Sequence, residues 1–258
     1  MPRFAANLSF LFQEVPFLDR FAAAAAAGFK AVEYVSPYEH PPEAIADLLK
    51  QHGLEQALFN NPAGDWAKGE RGLSALPGRE REFEAGMLKA LDYAKALNCP
   101  RIHAMAGILP AGVDRAKAEA AFVSNLKNAA VEAGKRGVVI ALEPINGRDI
   151  PGFYLQTSAH AEKVIEAVAS PQVRLQLDLY HCQIMEGDLI RRTERLFPLI
   201  EHVQIAGVPE RHEPDTGEVN YRALFQLLDK LGYRGWVGAE YKPRGRTEDG
   251  LGWMTALV

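Results

Sequence analysis

Cysteine is almost absent. Cys99 and Cys182 are the two in 258 residues, too few for a disulfide framework and too far apart for a CxxC redox or metal pair, so a reducing cytoplasm is the expected compartment. Long apolar runs are missing too. The alanine stretch from Ala22 to Ala27 is far shorter than a bilayer span, and Gly28 closes it as a helix C-cap would. The opening MPRFAANLSFLFQEVPF has no continuous apolar core and no small-residue cleavage pattern, so no secretory signal is expected. Basic residues are not in excess: 29 Lys and Arg against 33 Asp and Glu leave a net charge of −4, which offers no long-range pull toward nucleic acid or anionic lipid. Neither GxGxxG nor GxxxxGK[ST] occurs, so the phosphate-cradling turns of nucleotide-binding folds are lacking.

What is present is a regular alternation. Strand-like runs at residues 4–9, 31–36, 54–60, 101–106, 138–143, 173–178, 202–206 and 236–241 alternate with helical stretches at 17–27, 42–52, 80–97, 114–136 and 158–169, and further helical stretches lie behind the last strands. Pro42 at a helix start, Gly53 just past its end and Asp114 as a cap mark the boundaries. Eight strand-first βα units in one chain of this length predict a single α/β domain over residues 1–258, a (β/α)8 TIM barrel rather than an open sheet. The links at 61–78, 144–157 and 207–220 exceed the roughly 2–6 residues usual for such connections. In a barrel they gather at the C-terminal rim, where active sites form. The first, Gly-rich and carrying Trp66, is a lid candidate.

Oxygen-bearing side chains stand at or near the ends of the last four strands: Glu143 in VVIALEP, Asp178 in VRLQLDLYH, Gln204 in HVQIAG and Glu240 in WVGAEYKP. Their intervals of 35, 26 and 36 residues are each near the roughly 30 of one βα unit. They therefore fall on neighbouring strands at one barrel end. One acid at a strand end is commonly a helix cap or an ion-pair partner, and Gln204 alone would be a satisfied strand amide. Three carboxylates converging in a half-dry pocket repel one another unless a cation intervenes. An all-oxygen set suits Mg²⁺ or Mn²⁺ better than Zn²⁺. His181, in DLYH, is either a polar loop residue or a donor to a substrate oxygen. Arg211, in VPERHEP, is a candidate clamp for a substrate carboxylate, with Arg71, Lys242 and Arg244 as rivals. Asn7, Asn60 and His103 also lie near strand ends. Phe153 and Trp253 read either as covers for their own barrel or as packing in a homo-oligomer.

Several long motifs carry a resemblance: ANLSFLF, NPAGDWAKGERG, LPGRE, EPIN with DIPGF, QLDLYHCQIMEG, HVQIAGVPERHEPDTGEVNY and GWVGAEYKPRGRTEDGLGWM. Over nearly its full length the chain resembles the hydroxypyruvate isomerase family of the xylose isomerase-like barrels. EPINGRDIPGF resembles hydroxypyruvate isomerase proper, whereas ALFNNPAGDW, ALNCPRIHAMAG, QIAGVPERHEP and KPRGRTEDGLGW are similar to the related 2-oxo-tetronate isomerases. The resemblance implies one divalent metal held by Glu143, Asp178, Gln204 and Glu240. It makes Glu143 and Glu240 the catalytic acid/base pair and His181 and Arg211 substrate contacts. The implied reaction interconverts hydroxypyruvate and tartronate semialdehyde by proton transfer through an enediolate. A 2-oxo-tetronate isomerase is the alternative, then a ketose 3-epimerase. A small hydroxy- or keto-acid is the expected partner, with neither nucleic acid nor membrane.

Overall fold

The computed structural model describes residues 2–257. Eight parallel strands close into a barrel in sequence order: β1 (Arg3–Asn7), β2 (Ala31–Tyr34), β3 (Glu55–Asn60), β4 (Arg101–His103), β5 (Val139–Leu142), β6 (Val173–Asp178), β7 (Ile200–Ile205) and β8 (Trp236–Ala239). Closure is made by β1 against β8, with Ala6 opposite Ala239. No edge strand remains, and the open-sheet alternative is excluded.

The outer layer is helical: α1 (Arg20–Ala26), α2 (Pro42–His52), α3 (Glu80–Ala96), α4 (Arg115–Gly134) and α5 (Ser158–Val168) follow the first five strands. The predicted boundary signals work as read. Pro42 starts α2, Gly53 ends it at φ 62°, and the Asp114 carboxylate accepts from Lys117 N to cap α4. One difference is that the helix expected over 17–27 begins as a 3₁₀ turn at Phe17–Asp19. Another is that two helices, α6 (Leu179–Met185) and α7 (Leu189–Leu196), follow β6. They are split at Gly187 and Asp188, both at positive φ. α8 (Tyr221–Leu231) and the short α9 (Trp253–Ala256) complete the set.

Strand β4 is shorter than predicted because the chain leaves the ladder after His103 and pairs instead with the long 61–78 link, through a bridge between Gly72 and Ala106. That link is not free along its whole length. Its second part is anchored: Leu73, Ser74, Ala75 and Leu76 are buried, and Ser74 Oγ donates to Met105 O at 2.7 Å. A Cβ on Gly72 would lie 2.2 Å from that same carbonyl, so glycine is what permits the close approach. The link's exposed stretch is residues 64–69, around Trp66.

Side chains two apart on a strand share a face. On the inner face Trp236 packs with Ala5, Ala31 and Ala57, a small apolar plug. Two residues further along these strands come Gly238, Asn7 and Glu33, and polar groups take over. Phe153 and Trp253 are buried within their own chain, so of the two readings given above they cover their own barrel. Among the described residues no helix is long and apolar enough to cross a membrane.

Candidate active site

Glu143 and Glu240 lie one residue beyond β5 and β8, and Asp178 and Gln204 lie at and near the ends of β6 and β7. All four are buried. Asp178 and Gln204 are directly opposite each other in the ladder. Gln204 meets a cavity of about 360 Å³ whose wall also includes Glu143, His181, Arg211 and Glu240, and Asp178 adjoins it through His181, with its Oδ2 3.6 Å from His181 Nε2. The strand-end spacing thus brings together the residues it predicted.

The acids are crowded and dry. Burial, with the charges of Glu240 and Asp178 beside it, pushes the Glu143 carboxyl well above the usual carboxylate range. Burial raises Asp178 to about 6. Glu240 is raised by burial to about 8, against the pull of Arg211. Three buried acids resist ionising together until positive charge is supplied.

Asp178 divides its work. Its Oδ1 accepts from Tyr180 N at 2.8 Å, capping α6, while its buried Oδ2 has no hydrogen-bond partner among the described residues. That oxygen is 3.6 Å from His181 Nε2, which is also 3.6 Å from Glu143 Oε1. One ligand atom each from Glu143, Asp178 and His181 lie within 4.8 Å of one another. An orphaned carboxylate oxygen amid converging donors fits a divalent cation.

His181 has a readable tautomer. The Asn146 main-chain N–H, which can only donate, approaches Nδ1 at 3.4 Å, and the Asn146 side chain lies 2.6 Å from the same nitrogen. Burial and Arg211 hold the imidazole pKa well below its ordinary value. The ring is therefore neutral, with its proton on Nε2 facing the acids. His103 Nδ1 approaches Glu143 Oε2 at 3.3 Å, and burial lowers its pKa to about 3. Asn60 also lines the cavity.

Gln204 is engaged in a way its sequence position does not reveal. Its Nε2 donates to Glu33 Oε1 at 2.7 Å and to Glu240 Oε2, and its Oε1 accepts from Gln176 Nε2 at 2.5 Å. Glu33, fully buried, also accepts from Asn7 Nδ2 at 3.1 Å and pairs with His202 Nε2 at 2.6 Å. Glu33, Gln176 and His202 went unread in the sequence, although a signal existed. Gln176 and His202 stand two residues before Asp178 and Gln204 on the same strand faces, and Glu33 interrupts the apolar run AVEYV.

Arg211 sits elsewhere than a free clamp would. Its Nη2 is 2.6 Å from Glu240 Oε1 and 3.8 Å from Asp178 Oδ2, and its Nη1 is 3.1 Å from Asp149 Oδ2. Its backbone is left-handed at φ 58°, a conformation that costs a non-glycine residue of order 1 kcal/mol or more. Of the rival cations, Arg244 pairs with Glu213 at 3.0 Å, while Arg71 and Lys242 line the cavity.

Comparison with known proteins adds to this geometry. A family model described as xylose isomerase-like TIM barrel matches residues 21–257. The chain belongs to that family. It is 52% identical over 98% of both chains to a 2-oxo-tetronate isomerase of Cupriavidus necator. It is 46% identical, again over 98% of both, to the hydroxypyruvate isomerase of Escherichia coli K12. A crystal structure from Brucella melitensis, described as an AP endonuclease of family 2, matches with a TM-score of 0.97 at 52% identity over 99% of each chain. The full-length relatives named isomerases make this chain an isomerase of the hydroxypyruvate isomerase-like kind.

Proposed function

We propose that this barrel isomerises a short 2-oxo acid bearing a hydroxyl on the next carbon, by moving a proton between adjacent carbons. For hydroxypyruvate the product is tartronate semialdehyde. A base takes a proton from C3, the hydroxyl proton passes to the oxygen on C2, and the enediolate is reprotonated at C2. No atom is gained or lost. The observation that carries the reading is the pair Glu143 and Glu240, buried on one cavity at the ends of strands three apart. Burial raises the Glu240 carboxyl to about 8 and the Glu143 carboxyl well above the usual carboxylate range, which strengthens each as a proton acceptor. The His181 Nε2–H is positioned to donate to a developing substrate oxyanion.

The donor set suits one divalent ion, Mg²⁺ or Mn²⁺, which Glu143, Asp178, Gln204 and Glu240 would hold. Such an ion, when bound, supplies Lewis-acid stabilisation of negative charge on the two substrate oxygens. Gln204 would offer its amide oxygen, which here accepts from Gln176. Arg211, which already neutralises Glu240 and Asp149, holds the acids in place near substrate.

A second reading changes the substrate by one carbon. The 52% match to the Cupriavidus enzyme favours 2-oxo-tetronate, where the same carbonyl shift moves the ketone from C2 to C3. A nuclease reading is not supported, since a net charge of −4 provides no basic track for DNA. The test is turnover of hydroxypyruvate against 2-oxo-tetronate, with Mg²⁺ or Mn²⁺ and with chelator. Metal-dependent turnover of either acid is the expected result. Turnover of neither refutes the proposal.

A further inference from the structure

Arg71 is the cation in the cavity wall with an open edge. The wall carries three cations, Arg71, Arg211 and Lys242, facing the acids Glu143, Asp149 and Glu240. Arg211 is already shared among Glu240, Asp149 and Asp178, so a substrate carboxylate placed there competes with three others. Arg71 has no carboxylate within ion-pair distance among the described residues. Its Nη1 donates to the carbonyls of Trp66 at 3.1 Å and Glu70 at 2.7 Å. Its Nε and Nη2 have no protein partner among the described residues. The guanidinium carbon lies 3.8 Å from the centroid of the Trp66 ring, a stack that fixes the plane of the fork.

The backbone around it is stiff. Glu70 is held by Arg79 at 2.7 Å and by Asp65 N at 2.6 Å. Gly72 donates to Ala63 O at 2.9 Å and is packed against Met105. An arginine pre-oriented at both neighbours, with two donors of its fork unspent, is suited to bidentate capture of a carboxylate. Lys242, an exposed side chain on the same wall, has a flexible stem and no fork.

We infer that Arg71, braced by Trp66, binds the carboxylate of the substrate and makes the enzyme selective for acids over neutral hydroxyketones. This rests on the isomerase reading for its substrate class, not for its binding chemistry. The experiment uses the metal-loaded protein and two readouts. In turnover, Arg71→Ala should raise KM for the acid about 10–100-fold, the loss of one charge-assisted bidentate contact, with kcat within a few-fold. Arg71→Lys should recover part of that, and Lys242→Ala should raise KM less than Arg71→Ala does. In calorimetry, glycerate should bind the wild type, glycerol should not, and Arg71→Ala should lose glycerate. Unchanged KM and glycerate binding in Arg71→Ala overturn the inference. So do a fall in kcat alone, a larger rise in KM from Lys242→Ala than from Arg71→Ala, or a wild type that binds no glycerate. If neither acid is turned over but glycerate binds through Arg71, the isomerase reading fails and this one stands.

Discussion

The crowding of Glu143, Asp178 and Glu240 makes the metal-free protein weaken as pH rises above about 6.5. In the folded chain burial raises Glu240 from 4.5 to about 8, so the folded state binds that proton more tightly than the unfolded state does. Between those two values the folded state carries more protons, and stability falls with rising pH. Below about 6.5 the effect is masked, because His103 and His181 run the other way: their lowered pKa values make stability rise with pH until the unfolded imidazoles have discharged. Asp178, at about 6, has mostly completed its contribution by then. The clean window is therefore about pH 6.5 to 8. Each tenfold in proton affinity is worth about 1.4 kcal/mol, so Glu240 alone removes on the order of 2 kcal/mol across it, and Glu143 adds to the loss in the same direction. The assay is urea unfolding followed by tryptophan fluorescence, with chelator and with Mn²⁺. With chelator the unfolding free energy should fall across the window, and Glu240→Gln should flatten the slope. With Mn²⁺ at about 100 times its Kd, stability should rise by about 2.7 kcal/mol, and the gap between the two curves should widen toward high pH as protons cease to compete. A chelated protein whose stability stays level or climbs from pH 6.5 to 8 refutes the reasoning.

Other outcomes follow from single contacts. Asp178→Ala should lose bound metal by elemental analysis. Asp178→Asn should lose it as well but keep the acceptor that caps α6, and so stay about 1 kcal/mol more stable; full metal content in both contradicts the assignment. Gly238→Ala would place a Cβ 2.2 Å from Glu33 Oε1, and the displaced carboxylate should cost about 1–3 kcal/mol and lower turnover. An unchanged melting temperature would mean that Glu33 is not fixed there. Glu33→Leu leaves the donors of Asn7, Gln204 and His202 without an acceptor and should destabilise by about 3 kcal/mol or more, measured by the same unfolding assay.

How much of this was legible beforehand depends on the kind of contact. The barrel and the cluster of Glu143, Asp178, Gln204 and Glu240 were readable because strand ends in successive βα units must fall at one rim. Glu33 and His202 each carry a local signal in their own strands, but their pairing spans 169 residues and is fixed by closure of the barrel, not by local pattern. Arg211 is legible only as to its loop. Sequence places it in the right loop, while its pairing with Glu240 and Asp149 depends on the left-handed turn that aims it inward. The length of the 61–78 link is legible, yet its anchoring by Gly72 and Ser74 against β4's extension has no signature beyond the glycine itself.

The account depends most on Glu143 and Glu240 as the groups that move the proton. Steady-state turnover of Glu143→Gln and Glu240→Gln on both keto acids, in metal-loaded protein with folding checked by melting, tests this directly. Each variant should fall to background on both acids. Ordinary turnover by either one would remove that glutamate from the chemistry and contradict the account.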